Sequence, residues 1–126
     1  MKVNIGHINN THGQWLRTLG FYRTEIAILK SILTEIAGKY TDTGVMKEVE
    51  HFENQFRVQN NNIDILSHDI HANISKIAQQ AQASSAGYID GALQTEHAAL
   101  GTRTDDQEKI SSALVHEFRK FAERWM

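Results

Sequence analysis

From Trp15, apolar residues recur at Leu19, Tyr22, Ile26, Leu29, Leu33, Ile36 and Tyr40, in steps that alternate four and three. An α-helix makes a turn every 3.6 residues, so this rhythm keeps all of them on one side of a helix. Asn9, Asn10 and Thr11 stand just before the run and are good N-cap residues. Gly38 and the stretch Thr41 to Gly44 (TDTG) offer a stop and a short connection.

A second run follows at Val45, Val49, Phe52, Phe56, Gln59, Ile63, Leu66, Ile70, Asn73 and Ile77, with Gln59 and Asn73 as its polar members. The triplet Asn60 to Asn62 lies inside it. Three asparagines suggest a turn, yet Ile63 and Leu66 keep the register of Val49 and Phe56. Asparagine is only a few tenths of a kcal/mol worse in a helix than an average residue, and burial on both sides outweighs that. One helix is therefore expected over 45 to about 82, with room for a bend at the asparagines.

Gln80 to Gly87 (QAQASSAG) is small and polar and reads as a turn. The third run is Leu93, His97, Leu100, Thr104, Gln107, Ser111, Leu114, Phe118, Phe121 and Trp125. Its rhythm holds, but its middle is polar. Thr104 to Gln107 (TDDQ) also matches a capping box, and Gly101 would suit a helix end. One element of roughly 55 Å would cover the whole second helix, whereas two antiparallel halves would leave half of it bare. One element is the expectation, with a kink or break near 101–104 as the alternative.

Short connections between long helices make antiparallel neighbours. The expected fold is all-α: a single domain over 1–126, an up-down-up bundle of three long helices at about 10–40, 44–82 and 88–126, packed at shallow angles. The chain of 126 residues contains no proline. Proline breaks helix interiors and punctuates loops, so its absence suits long helices with little loop.

Some apolar residues fall off these seams. Phe21 and Ile28 lie seven apart on the first helix, and Val58 and Ile65 seven apart on the second. In a hairpin about Thr41 to Gly44, Phe21 comes level with Ile65 and Ile28 with Val58. Burying each such group contributes about 1.5–3 kcal/mol. The four residues therefore form a candidate partner face, most simply for a homodimer.

Composition then limits the chemistry. The chain has no cysteine, which removes disulfides, thiolate metal sites and cysteine nucleophiles. Net charge is −2 and the basic residues form no stripe, so nucleic acid and anionic membranes are not expected partners. The start of the chain has no secretory pattern and no apolar run approaches a membrane span, so the cytoplasm is the expected compartment.

Seven histidines are present. His68 and His71 are helix neighbours, and Asp64 lies four residues before His68, a spacing that can place two imidazoles and a carboxylate about zinc or iron. The register turns these residues outward, where the plain reading is solvated surface. Ferritin-like di-iron bundles carry an inward Glu-x-x-His on each of two helices; here the spacing occurs at Glu48–His51 alone, with His51 outward, so the pattern is not met. His97 falls on the third seam and reads as part of a polar layer that fixes register. No nucleophile elbow, phosphate-cradling loop or H-E-x-x-H motif is present. The sequence thus favours a non-catalytic helical bundle that acts through protein contacts and self-associates. The alternative is a small metal-binding bundle using Asp64, His68 and His71.

Overall fold

The computed structural model describes residues 5–83 and 90–126. Three helices account for them: α1 (Ile5–Lys39), α2 (Thr43–Ala83) and α3 (Gly91–Trp125). Each packs against both others, giving the antiparallel three-helix bundle that the runs require. The second run is buried at all ten positions from Val45 to Ile77, its two polar members included. Asn60 to Asn62 lie within an unbroken α2.

The turn between α1 and α2 is organised by Asp42. Its Oδ1 accepts from the backbone N–H groups of Gly44 (2.8 Å) and Val45 (3.1 Å), which satisfies two of the free donors at the start of α2. At the other connection, Asp90 is the N-cap of α3 and accepts from Leu93 N at 2.9 Å. Gln80, in the last turns of α2, holds this cap from both sides. Its Nε2 donates to Asp90 Oδ2 (2.7 Å) and its Oε1 accepts from Asp90 N (2.8 Å). Of the stretch expected as a turn, Gln80 to Ala83 are helical, while 84–87 and the start of the third helix at 88–89 lie outside the described residues.

Two local expectations are corrected. The first helix does not begin after Asn9, Asn10 and Thr11, because α1 already runs from Ile5. Thr11 is no cap; its hydroxyl donates back to His7 O within the helix, at 2.7 Å. The four-three rhythm therefore extends backward from Trp15 to His12 and Ile8, both buried. The alternative of a break near 101–104 is also not taken, since α3 is continuous. Gly101 sits mid-helix against Trp15; a Cβ there would come 3.0 Å from the indole Cζ2. Thr104 donates to Leu100 O (2.8 Å) rather than capping a new helix.

The core differs along its length. Toward the α1–α2 turn it is aromatic: Phe52 lies 5.2 Å from Phe118 and 5.0 Å from Phe121, and Phe56 meets Phe118 edge-on at 5.4 Å between ring centroids. Tyr40 and Trp125 close that end edge-to-face. Midway, Gln107 Nε2 donates to Gln59 Oε1 and to Ser111 Oγ, both at 2.9 Å. These three buried polar groups satisfy one another and tie α2 to α3 in one register.

Candidate functional site

The end of the bundle away from the α1–α2 turn holds a buried polar chain. His12 is 2% exposed and Asn73 fully buried. His12 Nε2 lies 2.8 Å from Asn73 Oδ1, and Asn73 Nδ2 donates to Glu96 Oε1 at 2.8 Å. Lys76 completes the chain at the surface, 3.2 Å from Glu96 Oε2. The carboxylate decides the protons. Ionised Glu96 only accepts, so the Asn73 amide donates to it and turns its oxygen to His12. His12 Nε2 therefore carries the hydrogen. Its Nδ1 is left as a buried lone pair with no hydrogen-bond partner.

Two further rings surround His12. Trp15 packs edge-on at 5.6 Å, and His97 edge-on at 5.0 Å. His97 itself lies 4.6 Å from Trp15. Burial pushes the His12 imidazole below its ordinary range, partly opposed by the Asn73 hydrogen bond. Burial likewise lowers His97, helped by the nearby His12 and opposed by a hydrogen bond to the Ile8 backbone. The Asn73 amide holds Glu96 below the usual carboxylate range, with Lys76 adding to it against partial burial. The arrangement favours two neutral imidazoles and one ionised carboxylate. The signal for His12 in the sequence is the first run itself, whose four-three rhythm continues from Trp15 back through His12 to Ile8.

The residues of the alternative metal reading are not brought together. Asp64 pairs with Arg23 across the α1/α2 groove, and His68 and His71 are exposed. Among the described residues no three His, Asp or Glu side chains form a metal-binding group. His51 is turned to Glu117 instead, at 3.4 Å.

All four residues of the expected partner face are exposed: Phe21 by 59%, Ile28 by 52%, Val58 by 39% and Ile65 by 49%. They divide between two flanks. Phe21 stands four residues before Glu25 and Ile28 three after it, on the side from which Glu25 pairs with Arg119 of α3. Phe21 also packs edge-on against Tyr22, which lines the α1/α3 groove. Ile65 instead lines the α2/α3 groove together with Ile110, which is itself 49% exposed. Val58, two turns before Ile65, shares its side of α2. So α3 stands between the two apolar pairs.

The α2/α3 groove has a regular build. Along α3, groove-flanking positions fall every seven residues at Glu96, Arg103, Ile110, Glu117 and Arg124. Glu96 pairs with Lys76, Arg103 with Asp69 at 2.9 Å, Glu117 with His51, and Arg124 with Glu48 at 3.6 Å. Of these five rungs only the middle one carries no charge on the row itself: there Ile110 shares the groove with Asn62, and Asp106, one turn before Ile110, also lines it. Ile110 escaped sequence reasoning because nothing in its own helix marks it. It stands out only beside Val58 and Ile65 of α2.

No family model, curated protein or solved structure matches the chain. Among the described residues no helix is long and apolar enough to cross a membrane.

Proposed function

We propose that this protein is a non-catalytic helical bundle that acts through protein–protein contacts and self-associates. The observation that carries the reading is the grouping of its exposed large apolar residues. Val58, Ile65 and Ile110 flank the α2/α3 groove, and Phe21 and Ile28 lie beside the α1/α3 groove. Scattered apolar residues on a surface need no explanation, but grouped ones on a rigid scaffold favour a partner. A homodimer is the simplest such assembly. The cysteine-free composition fits action in a reducing compartment such as the cytoplasm.

Sedimentation equilibrium at micromolar protein tests this. The expected species has twice the mass of the 14.3 kDa chain, and Ile65→Glu shifts it toward monomer. A His68→Ala/His71→Ala double variant leaves the assembly unchanged. A strictly monomeric protein overturns the reading, and stoichiometric zinc or iron in protein purified without an affinity tag favours the metal-binding alternative.

A further inference from the structure

The charges along the α2/α3 groove are arranged so that a second copy fits them in reverse. On α3 the flanking positions read Glu96, Arg103, Ile110, Glu117, Arg124. Turned end for end about Ile110, the same row sets Arg103 against Glu117 and Glu96 against Arg124. Along α2 the corresponding positions read Glu48, Gln55, Asn62, Asp69 and Lys76. Turned about Asn62, Glu48 meets Lys76, and Asp69 meets the neutral Gln55. No like charges face each other in either row. The uncharged rung is the centre of both reversals.

The apolar residues obey the same operation. Val58 lies four residues before Asn62 and Ile65 three after it, so reversal brings Val58 of one copy level with Ile65 of the other. Ile110 meets Ile110. We propose that two copies pack their α2/α3 faces together with antiparallel helices, about a two-fold axis that crosses the helices at the Ile110–Asn62 rung. This rests on the self-association reading and gives it a partner geometry. A two-fold axis parallel to the helices also matches the charges, but it sets Ile110 on the partner's Asn62 and leaves the two isoleucines unpaired.

The surface suffices for such a contact. A face two helices wide measures about 20 Å across and, over 35-residue α3, roughly 50 Å along. That is about 1,000 Å², against the roughly 800 Å² per partner that a standard interface buries. The apolar middle supplies attraction, and the charged rungs on either side set direction and register. The α1/α3 flank offers Phe21 and Ile28 with the single Glu25–Arg119 pair among the described residues, and no such reversible row.

The absence of native cysteine makes the test direct. Oxidised Ile110→Cys is expected to form a covalent dimer in high yield. Arg103→Cys alone should not, because its copies lie roughly 20 Å apart along the helices. An equal mixture of Arg103→Cys and Glu117→Cys should cross-link between the two variants. Arg103→Glu and Glu117→Arg should each weaken the dimer about tenfold, and the double variant should restore it. That rescue cannot come from within one chain, since the double variant loses the native pairs with Asp69 and His51. A protein that sediments only as monomer removes self-association and this register together. A dimer that cross-links through Phe21→Cys and not through Ile110→Cys keeps self-association and overturns the register.

Discussion

The two ends of the bundle fill equivalent seam positions with opposite chemistry. Near the α1–α2 turn the seam holds Phe52, Phe56, Phe118 and Phe121; near the start of α3 it holds His12, Asn73 and His97. The aromatic end gains its stability from area and from rings packed edge to face, which tolerate small rearrangements. The polar end depends on a chain of hydrogen bonds in which each group needs a particular neighbour. Its lost partner costs more than its contact contributes. The aromatic end therefore adds cohesion through apolar contact alone, whereas the polar chain, set among buried Ile8, Ile70 and Ile77, adds selectivity for a single alignment of the three helices.

The largest break in this comparison is expected at the aromatic end. Phe118→Ala removes a fully buried ring that touches Phe52, Phe56 and Phe121. A loss of about 3–5 kcal/mol is expected in urea unfolding. A loss under about 1 kcal/mol would mean that the aromatic end is not tightly packed.

At the polar end, Asn73→Leu leaves His12 Nε2–H and Glu96 without their partner and should cost about 1–3 kcal/mol. Adding His12→Leu should recover part of that, because the second substitution removes the buried donor that the first one stranded. Strict additivity of the two losses would show that the residues are not coupled.

The smallest expected effect is a pH dependence, and its direction follows from the depressed imidazoles. His12 and His97 bind protons less readily in the folded chain than in the unfolded one. Stability is then fullest above the ordinary histidine range, near pH 6.5. It declines as pH falls from there toward the folded values. Glu96 is depressed too, but its contribution is lost only below the ordinary carboxylate range. Unfolding followed from pH 7.5 to 5 should show the histidine part alone, and His12→Leu should flatten it. An unchanged slope in that variant would remove His12 as its source.

The sequence carried most of the fold and less of the surface. The α2 seam was legible at every position because a sustained register is insensitive to a few poor helix formers such as Asn60 to Asn62. Gly101 misled because a glycine signals a helix end only when nothing needs the space of its missing side chain; here Trp15 fills that space. Asn9 to Thr11 misled because capping residues also occur inside helices, where Thr11 bonds back to His7. For the candidate surface, matching heights along the α1/α2 hairpin located Phe21 level with Ile65. Height carries no information about direction around each helix, and direction depends on where α3 docks. Ile110 was invisible for the same reason.

The length of α2 has a consequence for solution scattering. Its 41 residues span roughly 60 Å, so the monomer is a rod two to three times longer than it is wide. Side-by-side antiparallel pairing about the Ile110–Asn62 rung would thicken that rod without extending it. At equal protein mass the forward intensity of small-angle X-ray scattering would double while the largest interatomic distance stayed near its monomer value. End-to-end stacking would instead nearly double that distance.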